Sequence, residues 1–113
     1  MKQIIVIPAR MRGTRLPGKP MIDIAGKPMI KHVWDRAINI HDREKVFIAT
    51  EDKIIKNFCE KNNMNCVITG AANTAIERIK LFSDVIEADS YINLQGDEPI
   101  INLKDLKTIL DYN

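Results

Sequence analysis

"QIIVIPARMRGTRLPGKP", residues 3–20, changes character at Pro8. Residues 3–8 form a continuous apolar, β-branched run after Gln3. A strand with one wet face alternates apolar and polar residues, so an unbroken run points to a strand covered on both faces, as in a parallel sheet. Arg10, Arg12, Arg15 and Lys19 then fall within ten residues, and no acid follows until Asp23. Proline stiffens this cationic loop and glycine loosens it.

Working outward, the same alternation recurs. The spacing predicts a helix over "KPMIKHVWDRAINI" (27–40), with Met29, Ile30, Val33, Trp34, Ala37 and Ile38 on one stripe and Pro28 in its first turn. "KVFIAT" (45–50) reads as a second strand, and "EDKIIKNFCEKNN" (51–63) as a helix burying Ile54, Ile55, Phe58 and Cys59. "NCVIT" (65–69) is a third strand, "AIERIKLFSDVI" (75–86) a third helix, and "SYINLQ" (90–95) a fourth strand. "NLKDLKTILDYN" (102–113) begins with a capping Asn102 and turns Leu103, Leu106, Ile109 and Leu110 inward. Strands alternating with helices make an α/β layer structure with a mainly parallel sheet and right-handed crossovers. Ligands in such sheets bind at the carboxyl ends of the strands. Both unusual loops, residues 9–20 and 95–99, fall at those ends and are expected to face one crevice.

The totals exclude several classes. A chain of 113 residues holds one domain with a modest core. A net charge of +2 does not describe a general nucleic-acid binder. The sequence has no 18-residue apolar run and no signal peptide, so no membrane partner is expected. Cys59 and Cys66 lack the spacing and histidine partners of a zinc site; they read as two reduced thiols, and the chain as cytoplasmic.

The cationic loop suits a phosphate chain. Glycines admit close backbone approach, and arginine forks match phosphate oxygens. "GTRLPGKP" (13–20) shares Gly13, Gly18 and Lys19 with the G-x-x-x-x-G-K-[ST] pattern, but Pro20 stands where the magnesium-binding hydroxyl belongs. Pro20 also removes an amide, so this is not that ATPase loop. The second feature, "NLQGDEP" (93–99), follows a strand with a glycine turn, two carboxylates and a proline. Such a turn can hold Asp97 as a ligand for a hard cation such as Mg²⁺ together with substrate phosphates, and an ordinary turn with acidic side chains is the alternative.

At "IPARMRGTRLPGKPMIDIAGKPMIKHVWDRA", "VFIATED" and "NLQGDEP" the chain resembles the 3-deoxy-manno-octulosonate (Kdo) cytidylyltransferases, also called CMP-Kdo synthetases. The resemblance implies a Rossmann-like three-layer α/β/α fold of the nucleotide-diphospho-sugar transferase kind. It implies that CTP and Kdo give CMP-Kdo and pyrophosphate, with Mg²⁺, in lipopolysaccharide biosynthesis. The sugar's anomeric hydroxyl would attack the α-phosphate. Pro8, Ala9 and Arg10 would border the nucleotide, and Arg10, Arg15 and Lys19 would hold its triphosphate. Arg78 would join the nucleotide site, Gln95 would lie near base or acceptor, and Asp97 would bind magnesium. Arg10, Lys19 and Asp97 would thus be the catalytic residues, with Arg12 adding to the field.

Two departures accompany the resemblance. The family carries Ser-Gly-Thr before its Glu/Asp-Arg pair, whereas "TGAANTAIERI" (69–79) puts Ala75 and Ile76 before Glu77 and Arg78, in a loop one residue shorter. Ile76 donates no hydroxyl hydrogen bond. Family members are also much longer. Residues 1–113 are therefore expected to be the nucleotide-binding, N-terminal part, with the C-terminal part of the family fold absent and a homodimer expected of the full-length protein. The chain ends in an amphipathic pattern without a Gly or Pro stop. The rival readings are a nucleotidyltransferase with another acceptor or base, and a non-catalytic nucleotide-binding module. Among the remaining residues, His32 reads as a surface group, His41 as a loop residue with no catalytic role, and Trp34 as core. Glu51 and Asp52 are expected to cap the second helix through its dipole.

Overall fold

The computed structural model describes residues 2–12 and 18–94. Arg15, Gln95, Asp97 and the helix expected from Asn102 lie outside the described residues. Within them, β1 (Gln3–Pro8), β4 (Val46–Thr50), β5 (Cys66–Ile68) and β6 (Ser90–Asn93) form a parallel sheet in the order β5-β4-β1-β6. Helices α1 (Met29–Ile40), α2 (Lys53–Lys61) and α3 (Ala75–Ser83) make the connections.

The apolar run of β1 explains its central place. Ile4, Ile5, Val6 and Ile7 are all fully buried, and consecutive strand residues point to opposite faces. Ile5 and Ile7 pack with Ile30, Val33, Trp34 and Ala37 of α1 and with Ile55 and Cys59 of α2. Ile4 and Val6 pack on the other face with Phe82 of α3. The result is a three-layer α/β/α domain, as expected. Phe82 also meets Phe47 and Tyr91, with ring centroids 5.5 and 6.1 Å away.

Three details differ from the sequence reading. Residues 23–28 form a small antiparallel hairpin of β2 (Asp23–Ile24) and β3 (Lys27–Pro28). Its turn residues Ala25 and Gly26 both have positive φ, 53° and 91°, as a tight hairpin turn requires. Pro28 therefore precedes α1, in extended conformation, instead of lying in its first turn. Ile54 is 60% exposed, whereas Ile55 and Cys59 are buried. The inward stripe of α2 is centred on Ile55 and Cys59, at i and i+4, and Ile54 lies on its outer side.

Both histidines tie elements together. His32 Nε2 lies 2.6 Å from the Ile24 carbonyl, and His41 Nε2 lies 2.8 Å from that of Gln3. Lys27 and Lys31 both bond Asp35, joining the hairpin to α1. Burial acts to raise the Asp35 carboxyl, but the two ammonium groups outweigh it and hold it below its ordinary range.

Candidate functional site

The strand order places a switch point beside β1. From β1 the chain moves outward through β4 to β5, then returns to pair β6 on the other side of β1. Connections leaving neighbouring strands in opposite directions open a crevice at their carboxyl ends. The carboxyl ends of the four parallel strands, at Pro8, Thr50, Ile68 and Asn93, therefore lie at one end of the sheet.

Pro8 and Ala9 end the central strand and are buried, with Pro8 opposite Ala49 and the Ala9 amide donating to the Ala49 carbonyl at 3.0 Å. Arg10 follows, and its Nη1 reaches the carbonyls of Ala72 and Asn73 at 3.4 and 3.3 Å. It thereby spans from the end of β1 to the loop before α3.

The base of the cationic loop is clamped at Met11. The Met11 amide donates to Asp52 Oδ2 at 2.9 Å, and the Met11 carbonyl accepts from the Gly18 amide at 2.6 Å. Gly18 has φ 78°, a left-handed conformation that costs a glycine little, and starts the short 3-10 turn Lys19–Met21. Pro20, in the middle of this turn, is buried. Lys19 is thus carried on a turn anchored at both ends, since the Ile22 amide bonds back to the Lys19 carbonyl at 3.1 Å.

Glu51 and Asp52, at the end of β4, do more than complement a helix dipole. Asp52 stands at the N-cap of α2 but makes no side-chain cap bond; its carboxylate goes to Met11 instead. Glu51 Oε1 accepts from Arg78 Nη2 at 3.0 Å, and Oε2 lies 3.4 Å from Arg12 Nη2. Sequence reasoning missed these roles. The available signal was two acids directly after a strand, at the same sheet end as the cationic loop.

Arg78 is 2% exposed. Besides Glu51, its guanidinium donates to Thr69 Oγ1 at 2.7 Å and to the carbonyls of Gly70 and Ala72 at 3.3 and 3.5 Å. It shapes residues 69–72 from beneath. The α3 N-terminus is built by Thr74, whose hydroxyl accepts from the Glu77 amide at 3.1 Å, while Glu77 Oε2 accepts from the Asn73 amide at 2.9 Å. This is close to a capping box, except that Glu77 takes the Asn73 amide in place of that of Thr74. Ile76, in the first turn of α3, is 77% exposed.

Among the described residues, no group of three or more His, Cys, Asp or Glu side chains is arranged to hold a metal. Cys59 and Cys66 are free thiols, and no helix is long and apolar enough to cross a membrane.

The family profile of the cytidylyltransferases matches residues 4–113. The chain belongs to the cytidylyltransferase family. It is 42% identical over 110 residues to the 3-deoxy-manno-octulosonate cytidylyltransferase of Escherichia coli, covering 96% of this chain and 45% of that protein. It is 40% identical over 110 residues to the 8-amino-3,8-dideoxy-manno-octulosonate cytidylyltransferase of Shewanella halifaxensis, covering 90% and 43% respectively. Among solved structures, CMP:2-keto-3-deoxy-manno-octonic acid synthetase complexed with CTP superposes with a TM-score of 0.92 at 41% identity, over 99% of this chain and 47% of that one. The chain thus spans about half the length of the curated relatives it matches.

Proposed function

We propose that residues 1–113 are the nucleotide-binding part of an enzyme that activates a sugar acid, converting CTP and Kdo to CMP-Kdo and pyrophosphate. One observation carries this reading: the cationic loop is pinned at the carboxyl end of β1, beside the switch point. The CTP named with the similar solved structure supports the choice of nucleotide. Arg10, Arg15 and Lys19 hold the triphosphate, and the backbone at Pro8 and Ala9 borders the nucleotide. Arg78 serves the nucleotide site by shaping residues 69–72, and Gln95 lies near the base or the acceptor. Phosphoryl transfer depends chiefly on positioning and charge stabilisation, which fixed cations supply.

Of the acids at this end of the sheet, Glu51 is committed to Arg12 and Arg78, and Asp52 to the Met11 amide. Asp97 is the carboxylate we assign to Mg²⁺, an ion that takes hard oxygen donors together with substrate phosphates. When bound, the ion supplies neutralisation of the phosphate charge. We assign the protein to the cytoplasm, in keeping with its free thiols, and its longer form to a homodimer. No nucleic acid or membrane enters this reading.

The test is pyrophosphate release from CTP by the full-length protein. Release that requires Kdo, and that is abolished by Asp97→Asn with the fold intact, is expected. Release at an unchanged rate in that variant would contradict the role of Asp97. A second acceptor is favoured by one observation, the exposed Ile76 in the first turn of α3. Turnover with 8-amino-3,8-dideoxy-manno-octulosonate but not with Kdo would select that reading, which the Shewanella halifaxensis relative supports.

A further inference from the structure

Glu51 joins three segments of the crevice, and its two oxygens are used unequally. Oε1 is bound to Arg78, a guanidinium fixed in the interior by Thr69, Gly70 and Ala72. Oε2 holds Arg12 at 3.4 Å, and the Arg12 side chain is 76% exposed against 15% for Glu51. One oxygen is locked, and the other holds a cation that solvent surrounds. Glu51 cannot follow Arg12 outward without leaving its buried partner. Exposed pairs of this kind are weak. A polyphosphate arriving at the loop is a stronger anion than one carboxylate, so Arg12 can change partners while Glu51 stays in place.

We propose that Glu51 is a resident anion that competes with phosphate for Arg12 and thereby promotes release of the pyrophosphate product. This inference rests on the nucleotidyltransferase reading. The cations that gather a triphosphate would also retain pyrophosphate after transfer. A fixed carboxylate gives Arg12 an alternative partner at that stage. Glu51 is therefore a positioning residue that acts through Arg12.

The probe is inorganic pyrophosphate, titrated by calorimetry at low ionic strength, with CMP as the one-phosphate control. Glu51→Gln keeps an oxygen for Arg78 and removes the negative charge facing Arg12. It is expected to tighten pyrophosphate binding roughly two- to fivefold, the range an exposed ion pair spans, and to change CMP binding less. In an Arg12→Gln background the tightening is expected to vanish. A merely structural Glu51 would give the opposite sign, because a loosened site binds more weakly. Weaker or unchanged pyrophosphate binding in Glu51→Gln, or tightening that persists without Arg12, overturns the proposal. If Glu51→Gln does not fold, Arg12→Gln alone decides, since its side chain is exposed. It is expected to weaken pyrophosphate more than CMP, and unchanged pyrophosphate affinity overturns the proposal. Pyrophosphate carries no base, so a failure of CTP selectivity would count against the proposed function and leave this result standing.

Discussion

Replacing Arg78 with Met tests how the crevice is held together. The guanidinium is 2% exposed and serves four acceptors on Glu51, Thr69, Gly70 and Ala72. Removing one partner of a buried pair costs about 3–5 kcal/mol, because the remaining charge is left uncompensated. Here Glu51 is 15% exposed and keeps Arg12, so the lower end applies, about 3 kcal/mol. With a urea dependence of about 2 kcal/mol/M, the unfolding midpoint would fall by about 1.5 M. The thermal midpoint would fall by about 12 °C, taking about 4 °C per kcal/mol for a domain of this size. Adding Glu51→Leu removes the stranded carboxylate, so the double variant is expected to recover about 1–2 kcal/mol relative to Arg78→Met alone. Both variants are followed by urea unfolding monitored at the buried Trp34. A loss under 1 kcal/mol in Arg78→Met, or a double variant less stable than the single, would refute the reasoning that charge burial holds this loop.

Other expectations follow from single contacts. Gly18→Ala places a side chain at φ 78° and is expected to cost about 1–2 kcal/mol in urea unfolding, with little change in CMP affinity. Thr74→Ala removes the bond to the Glu77 amide and is expected to cost about 1 kcal/mol, with Thr74→Ser close to wild type. For Asp35, the folded carboxyl is held below its ordinary range by Lys27 and Lys31, so its contribution is present at neutral pH and lost as the pH falls through the folded value. The stabilities of wild type and Asp35→Asn, measured by urea unfolding across pH, are therefore expected to differ at neutral pH and to converge below 3.8, the ordinary carboxylate value.

The central strand was legible because four consecutive residues, Ile4 to Ile7, are apolar and only a doubly covered strand needs that pattern. Helix α1 was legible from Ile30, Val33, Trp34 and Ala37, whose spacing fits a helical stripe. The hairpin at 23–28 was not, because two-residue strands carry no period and its turn uses Ala25-Gly26 in place of the commoner Asn-Gly. The cationic loop was visible as a charge cluster, but its clamp was not. Asp52 reaches Met11, and Glu51 reaches Arg12, across 41 and 39 positions. Those contacts exist because β4 lies beside β1, and strand order is a tertiary outcome that local spacing does not encode. Arg78 shows the same limit. The resemblance put Arg78 in the nucleotide site, but local spacing did not show that its guanidinium is buried against Glu51 and Thr69.

The most direct test of the account is calorimetric titration of the chain with CTP, ATP, GTP and UTP, with and without Mg²⁺, repeated for CTP and CMP in Lys19→Ala. Selective, magnesium-enhanced CTP binding is expected, with Lys19→Ala weakening CTP more than CMP. Equal affinities for all four triphosphates, or equal losses for CTP and CMP, would contradict a cytidine triphosphate site at the end of β1.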